Sequence, residues 1–231
     1  MIQKKYENSA KAVADIENGS TVLVGGFGGS GLPTELITAL MEQGAKNLTV
    51  VSNNIGAVSD GVAKLISNGQ VSKIICSFPV GPHAEELVQL LESGRIELEL
   101  VPQGTLAERI RAGGAGVGAF YTPTGVETEL GEGKEVREIN GKKHLLEYAI
   151  TGDYALIKAN KADRWGNLVY NKAQRNFNPV MASAATITIA EVEEIVEVGE
   201  ISAEEIVSPS IYVHRLITVD TKEERRVAGN E

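Results

Sequence analysis

The first half of the chain alternates short apolar segments with amphipathic ones, and this alternation limits the possible folds more than any other feature. Runs rich in Val, Ile and Leu predict strands at residues 21–24, 48–52, 73–77 and 96–101. Apolar residues at helical spacing predict helices between these strands, at residues 33–43, 58–66 and 84–91. Strands separated by helices of this length form right-handed βαβ units, which build a mostly parallel sheet.

The second half of the chain predicts hairpins and further strands. Asn140-Gly141 lies between two strand-like runs, residues 136–139 and 144–148, which is typical of a β-hairpin with a tight turn. A second turn at residues 163–166 and an acidic segment at residues 193–205 separate the other predicted strands. These strands cover residues 155–158, 168–170, 186–192 and 211–217.

Length and composition exclude several classes of protein. The chain has 231 residues, of which 42% are hydrophobic, and it can bury a substantial core. Because no Pro- or Ser-rich linker divides it, we expect one α/β domain over residues 1–231, with three layers and a mostly parallel, mixed sheet. The net charge of −9 argues against nucleic-acid binding, and no apolar run reaches the ~18 residues of a membrane helix. The single cysteine, Cys76, and the polar residues after Met1 indicate a cytoplasmic protein.

A glycine-rich loop follows the first predicted strand and precedes the first long helix. Such a loop exposes backbone N–H groups at a helix N-terminus, where a phosphate or an acyl oxygen can approach the main chain closely. The alternative is that its glycines only allow the helix to pack tightly on the strand. The residues of the loop are Gly25, Gly26, Phe27, Gly28, Gly29, Ser30 and Gly31.

The loop fits the known nucleotide-binding patterns poorly. Gly26, Gly28 and Gly31 match the spacing G-x-G-x-x-G of dinucleotide-binding folds. Those folds place an acidic residue at the end of the second strand to bind the ribose, but here that strand is followed by Asn53-Asn54. No Lys-Ser or Lys-Thr follows Gly31, so the loop is not a Walker A sequence either.

A second glycine cluster, residues 113–118, follows a short predicted helix. Thr105 is placed to cap this helix, with Glu108 at the capping-box position. The glycines either let the chain pass close to another backbone or a ligand, or form a flexible connection.

Several longer segments identify a family. They cover, in order along the chain, residues 24–33, 51–54, 102–116, 120–125, 175–179 and 191–196. Together they closely resemble the A subunit of the family I 3-oxoacid CoA-transferases, over nearly the whole chain. Within this family, Cys76-Ser77-Phe78-Pro79 and residues 163–168 are most similar to the 3-oxoadipate:succinyl-CoA branch, whereas the acetoacetate branch usually carries a different stretch near Ser77.

The resemblance implies an activity that needs two chains. In this family a glutamate attacks an acyl-CoA thioester, forms an acyl-glutamyl anhydride and then an enzyme–CoA thioester, and passes CoA to a second acid by ping-pong kinetics. The glutamate lies on the B subunit, so the resemblance implies a hetero-oligomer, αβ or α2β2. The implied donor is succinyl-CoA and the acceptor is 3-oxoadipate or acetoacetate. CoA enters as a thioester substrate, and no permanently bound cofactor is expected.

The resemblance also implies roles for individual residues. It places the loop of residues 25–31 against CoA, and the side-chain amides of Asn53, Asn54 and Gln103 near the reacting acyl group. Amides suit this position, because they donate hydrogen bonds without adding a charge that would shift the pKa of the nucleophilic carboxylate. From the residues alone, Asn53 and Asn54 are explained equally well as a turn at the end of a strand, and Gln103 as a cap of a loop.

Other interpretations carry less weight. Glu17-Asn18-Gly19 imitates the sequence around the family's nucleophile, but it precedes the first strand, where a helix C-terminal turn is expected. Lys158 and Arg175 suit either contact with CoA or substrate, or exposure and ion pairing. The three histidines are too scattered for a metal site. Alternative functions are one chain of an acetate/butyrate-type CoA-transferase and a stand-alone nucleotide-binding module.

Overall fold

Eleven strands and six α-helices are present in the computed structural model, which describes residues 3–55, 61–80 and 84–219. The strands are β1 (Thr21–Val24), β2 (Leu48–Ser52), β3 (Val71–Cys76), β4 (Glu97–Leu100), β5 (Ala119–Thr122), β6 (Val136–Ile139), β7 (Lys142–Tyr148), β8 (Gly152–Asp163), β9 (Leu168–Val169), β10 (Ala185–Val196) and β11 (Arg215–Thr218). The helices are α1 (Ser9–Val13), α2 (Thr34–Gln43), α3 (Ala63–Ser67), α4 (Ala84–Glu92), α5 (Gln103–Gly114) and α6 (Asn178–Ser183). The helix predicted over residues 58–66 begins only at Ala63, and residues 58–60 lie outside the described residues.

The main sheet has eight strands in the order β11-β10-β8-β1-β2-β3-β4, with β9 attached to β8. Its pairs are parallel except β8 with β9, which is antiparallel. The predicted mostly parallel, mixed sheet is therefore confirmed. Because parallel strands have their carboxyl ends at one edge, the residues that follow β1, β2, β3 and β4 come together there.

Alternating side chains along the strands produce the three predicted layers. In β1, Val22 and Val24 belong to one buried apolar cluster and Leu23 to another. In β3, Ile74 and Ile75 are divided in the same way. Successive side chains of a strand point to opposite faces, so the two clusters cover the two faces of the sheet. Helices α1 to α4 contribute apolar side chains to the first cluster, and α5 and α6 contribute to the second.

A second sheet contains three antiparallel strands in the order β5-β7-β6. The hairpin predicted at Asn140-Gly141 is confirmed, with φ angles of 51° and 74° at its two turn residues. Positive φ at both central residues is what a tight two-residue hairpin requires. The sequence predicts the hairpin but not that it belongs to a separate sheet.

Arg109 of α5 links this second sheet to the rest of the fold. Its Nε donates to the backbone O of Tyr148 at 2.7 Å, and its Nη1 donates to Glu99 at 2.6 Å. Glu147 lies 3.8 Å from the same Nε and also pairs with Lys134 at 2.6 Å. Because Glu147 is only 3% exposed, these two cations compensate a buried carboxylate.

Two local predictions differ from the structure, at Thr105 and in the last strand, and the structure decides between the two alternatives for the second glycine cluster. Thr105 does not cap a helix, because α5 begins at Gln103 and encloses Thr105 in its first turn. Gly113 and Gly114 are not a flexible connection but the tightly packed end of α5. A Cβ on Gly113 would lie 2.1 Å from the backbone O of Ile150, and one on Gly114 would lie 2.4 Å from Oγ of Ser183. The last strand is shorter than predicted, because residues 210–212 form a 3-10 turn.

Candidate functional site

A cavity of about 430 Å³ opens at the carboxyl edge of the main sheet. Its walls come from the segments that follow β1, β2 and β3 and from the start of α5, which follows β4. Open α/β sheets bind their ligands at this edge, in the crevice beyond the strand ends. The described residues that line the cavity are Phe27, Gly28, Asn53, Asn54, Ser77, Phe78 and Gln103.

Asn54 connects the ends of the first two strands. Its Oδ1 accepts the backbone N–H of Gly28 at 2.8 Å and Nδ2 of Asn53 at 3.2 Å. These two donors fix which end of the Asn54 amide is the oxygen. Nδ2 of Asn54 donates no hydrogen bond to any of the described residues. The NH2 group of Asn54 is therefore a donor that the cavity can use.

Asn53 is hydrogen-bonded to residues that follow two further strands, β3 and β4. Its Oδ1 accepts Nε2 of Gln103 and Oγ of Ser77, both at 2.8 Å. Its backbone O accepts the N–H groups of Ser77 and Phe78, both at 3.1 Å. Asn53 is only 2% exposed, whereas Gln103 at the start of α5 is exposed. The three predicted amides thus form one hydrogen-bonded chain from α5 to the glycine loop.

The other walls of the cavity are apolar. Phe27 and Phe78 are 51% and 55% exposed, which is unusual for phenylalanine in a folded chain. None of the seven lining residues carries a charge. Apolar walls with a few fixed donors bind an organic ligand by burial and orient it through hydrogen bonds.

Cys76 ends β3 directly before Ser77 but is not part of this site. It is fully buried, and burial raises the pKa of its thiol to about 11. The thiol is therefore protonated at neutral pH and is not a nucleophile. A free cysteine is more often buried than reactive, and Cys76 is an example.

The glycine loop folds back on itself beside the cavity. Phe27 and Ser30 exchange two backbone hydrogen bonds of 3.0 Å, and Gly28 and Gly29 form the tip between them. Gly28 has a φ of 59°, and a Cβ there would meet nothing within 4 Å. Its lack of a side chain therefore serves the backbone turn and leaves the main chain open towards the cavity.

The base of the loop is packed on Asn178. A Cβ on Gly25 would lie 1.9 Å from Oδ1 of Asn178, and a Cβ on Gly31 would lie 2.7 Å from its Nδ2. At these two positions the glycines allow tight packing, which is the alternative that the sequence leaves open. Gly26, Gly29 and Ser30 are not among the lining residues either.

The N-terminus of α2 already holds a carboxylate of the chain. Oε2 of Glu191 accepts the backbone N–H of Leu36 at 3.1 Å, and its Oε1 lies 3.2 Å from Nζ of Lys158. Glu191 is fully buried and Lys158 is 7% exposed. The sequence predicts that the N–H groups at this helix end are free to bind a ligand. For Leu36 this prediction is wrong, because its N–H already donates to Glu191. The negative carboxylate is also stabilised there by the helix dipole. Lys158 has the ion-paired role, one of the two expected for it.

Glu17, which belongs to the segment that is similar to the sequence around the family's nucleophile, lies away from the cavity. It is exposed and precedes β1, so it lies at the amino edge of the sheet. The turn at Gly19, with a φ of 82°, belongs to the connection into β1, because α1 already ends at Val13. In the described part of the chain, no group of three or more His, Cys, Asp or Glu could hold a metal ion, and no helix is long and apolar enough to cross a membrane.

Two lining residues were missed as site residues from the sequence. Ser77 and Phe78 are recognised there only as part of the segment that resembles one branch of a family. They follow β3 at the same sheet edge as Asn53 and Asn54 follow β2. The rule for carboxyl ends of parallel strands applies to them equally.

The fold of this chain also occurs in solved structures. An acyl-CoA transferase of Escherichia coli O157:H7 has the same fold, with a TM-score of 0.80 at 22% identity. The match covers 94% of this chain and 47% of that one, so this chain spans about half the length of that protein.

The sequence comparisons then give the family. A model of the coenzyme A transferase family matches residues 6–218, and the chain belongs to this family. The A subunit of the 3-oxoadipate CoA-transferase of Pseudomonas putida is 52% identical over 95% of both chains. The probable A subunit of the succinyl-CoA:3-ketoacid coenzyme A transferase of Bacillus subtilis is 50% identical over 96% of this chain and 92% of its own. The resemblance inferred from the sequence motifs is confirmed.

Proposed function

We propose that this chain is the A subunit of a 3-oxoacid CoA-transferase, which moves CoA from succinyl-CoA to a 3-oxo acid together with a B subunit. The observation that carries the proposal is the cavity, where hydrogen-bonded amides that follow β2 and β4 meet on apolar walls. No carboxylate is among its described lining residues. Following the family resemblance, we place the nucleophilic glutamate on the B subunit, facing this cavity.

The reaction proceeds through two kinds of covalent intermediate on that glutamate, an anhydride and a CoA thioester. The glutamate attacks the thioester carbonyl of succinyl-CoA, the C–S bond breaks, CoA leaves as a thiolate, and an acyl-glutamyl anhydride forms. The thiolate then attacks the glutamyl carbonyl, which releases succinate and leaves CoA on the enzyme as a thioester. The carboxylate of the 3-oxo acid reverses these steps and leaves as 3-oxoacyl-CoA.

Asn54 supplies a hydrogen bond to the carbonyl oxygen under attack. Each tetrahedral intermediate carries a negative charge on this oxygen, and a donor that is already oriented stabilises it without reorganisation. The NH2 group of Asn54 is such a donor, because its orientation is set by the hydrogen bonds to Gly28 and Asn53. Gln103 holds Asn53 in turn and brings a second amide to the cavity.

The glycine loop of residues 25–31 lies against CoA through its tip. Gly28 has open space around its Cα, and Phe27 offers an exposed apolar ring at the cavity wall. Gly25 and Gly31, at the base of the loop, fix its position by packing on Asn178. CoA binds as a thioester substrate, and no permanently bound cofactor takes part.

For the acceptor acid we propose 3-oxoadipate ahead of acetoacetate. Ser77 and Phe78 belong to the segment that is most similar to the 3-oxoadipate branch, and both line the cavity. The relative from Pseudomonas putida carries the name of the same acid. Side chains at this position contact the acyl part and influence which acid is accepted.

The test combines the purified chain with its B subunit. The complex is given succinyl-CoA with 3-oxoadipate, acetoacetate or butyrate, and the acyl-CoA products are quantified by mass spectrometry. We expect transfer with the highest kcat/KM for 3-oxoadipate. Preference for acetoacetate would change the acceptor, and preference for butyrate would favour the acetate/butyrate-type alternative. Absence of transfer to every acid, with tight binding of NAD or ADP by the chain alone, would replace the proposal by a nucleotide-binding module.

We further propose that residues 1–231 act as one domain within a cytoplasmic αβ or α2β2 complex. The bonds from Arg109 to Tyr148 and Glu99 support a single unit, because they connect the second sheet to α5 and β4. Native mass spectrometry of the complex distinguishes the two stoichiometries.

A further inference from the structure

Two asparagines hold the base of the glycine loop. Nδ2 of Asn176 donates to the backbone O of Ser30 at 2.9 Å, and Nδ2 of Asn178 donates to the backbone O of Gly31 at 3.0 Å. Neither asparagine is among the residues that line the cavity. An effect of these side chains on the reaction is therefore indirect, and the loop is the segment they hold that reaches the cavity.

Asn178 also connects the loop to the main sheet. Its side chain is fully buried, and its Oδ1 accepts the backbone N–H of Lys158 in β8 at 3.0 Å. Its Nδ2 donates to a second carbonyl, the backbone O of Gln174, at 2.7 Å. One amide thus satisfies one donor and two acceptors of the backbone, and only a side chain with both an oxygen and an NH2 group can do so.

A continuous set of hydrogen bonds leads from these asparagines to the cavity. The backbone O of Ser30, which accepts from Asn176, also accepts the N–H of Phe27 at 3.0 Å. The next residue, Gly28, donates its N–H to Oδ1 of Asn54. The position of Ser30 therefore determines where Gly28 offers the hydrogen bond that orients the Asn54 amide.

We propose that Asn176 and Asn178 are positioning residues for the transfer reaction. They fix the glycine loop so that Gly28 holds the amide of Asn54 with its NH2 group towards the cavity. This inference rests on the proposed function, since it assigns the two asparagines a role in that reaction. An error in the placement of a reacting donor by about 1 Å costs up to ~100-fold in rate, which is the scale on which such residues act.

The main test uses Asn176→Ala, because Asn176 is only half-buried and its loss leaves the bonds of Asn178 to Gly31, Gln174 and Lys158 in place. The substitution also removes the contacts of Asn176 with Ala173, Phe177 and Asn178. We expect faster hydrogen exchange in the peptide that spans residues 25–31. We also expect kcat of the A–B complex to fall about tenfold or more, with a smaller change in KM. In an Asn54→Ala background the same substitution should change kcat by less than about twofold, since the donor that it positions is gone.

Gln70→Ala is the matched control for Asn178→Ala. Gln70 is 1% exposed, and its Nε2 donates to two backbone carbonyls, those of Leu40 and Ala45. It precedes β3 and thus lies at the edge opposite to the cavity. Both variants should be destabilised, but only Asn178→Ala should lower kcat of the folded complex. If Asn178→Ala does not fold, Asn176→Ala and its exchange measurement still decide the question.

Two results would overturn the inference. One is unchanged exchange in residues 25–31 of Asn176→Ala, and the other is an equal loss of kcat with and without the Asn54 side chain. Failure of the proposed function is recognised separately, because the wild-type complex would then transfer CoA to none of the acids. The exchange experiment needs no activity and still reports whether Asn176 holds the loop.

Discussion

Oδ1 of Asn54 accepts the backbone N–H of Gly28 at 2.8 Å, although 26 residues separate the two in the chain. The bond joins the segments that follow β1 and β2, which are neighbours in the sheet. It uses the oxygen of the amide and leaves the NH2 group for a ligand. A backbone donor in a glycine loop thereby determines the direction of a side-chain donor in the cavity.

Asn54→Ala should lower kcat by about 100- to 1000-fold, because it removes the donor that we propose for the developing oxyanion. Asn53→Ala and Gln103→Ala should also lower kcat, through loss of the chain that holds this donor. The measurement is steady-state kinetics of the A–B complex, with size-exclusion chromatography to follow its assembly. Parallel loss of assembly would show that these amides are structural.

Asn54→Asp is the control for this prediction. The aspartate keeps an oxygen for the N–H of Gly28 but replaces the NH2 group by a second, negatively charged oxygen. We expect kcat as low as in Asn54→Ala. Activity close to wild type would mean that the contact with Gly28, and not the donor, is what the reaction needs.

Gly31→Ala should destabilise the chain far more than Gly69→Ala. The two glycines have nearly equal φ angles, 66° and 67°, so both substitutions incur a similar backbone strain of about 1 kcal/mol. A Cβ on Gly31 would lie 2.8 Å from the backbone O of Gln174, whereas one on Gly69 would meet nothing within 4 Å. We expect a further loss of about 1–3 kcal/mol for Gly31→Ala from overpacking. Urea denaturation of both variants measures the difference, and equal midpoints would contradict the packing role.

Arg109→Met should loosen the second sheet. The substitution removes the donor to the backbone O of Tyr148. It also leaves Lys134 as the one remaining cation beside Glu147 among the described residues, and the Glu147 side chain is only 4% exposed. Because Lys134 still compensates Glu147, we expect a loss of about 1–3 kcal/mol, mainly from the missing hydrogen bond to the backbone O of Tyr148. Arg111→Met on the same helix should be close to wild type, because the pair of Arg111 with Glu108 is exposed. Thermal unfolding gives the overall effect, and faster hydrogen exchange in β7 for Arg109→Met alone would locate it.

Cys76 should resist alkylation in the folded chain. Burial raises the pKa of its thiol from 9.0 to about 11, so at pH 8 only about one thiol in a thousand is ionised, and the side chain is also inaccessible. We expect iodoacetamide to label the chain slowly in buffer and rapidly in concentrated urea. The native rate should follow the fraction of unfolded chain as urea is added. Fast labelling without urea would show that Cys76 is reactive.

The sequence predicted most of the fold from local patterns. The strands at residues 21–24 and 48–52 and the helix that ends before Gly44 are observed as predicted, because apolar periodicity and a left-handed glycine act within one element. The family resemblance named Asn53, Asn54 and Gln103 as site residues, and in the structure they follow β2 and β4. The cavity contains all three amides, with Phe27 and Gly28 from the predicted loop.

The tertiary structure decided which polar groups are available to a ligand. The sequence predicts a helix N-terminus that is free for an anion, but Glu191, which lies 155 residues further along, occupies the N–H of Leu36. It cannot tell that Gly25 packs on Asn178 whereas Gly28 faces open space. Donors and acceptors are assigned by contacts between strands and loops that are distant in the chain, and a periodic pattern contains no information about such contacts. The amino-acid sequence by itself thus determined most of the elements and, through its motifs, the residues expected at the site. The folded chain determined where these residues meet and which of their atoms are already bonded within the chain.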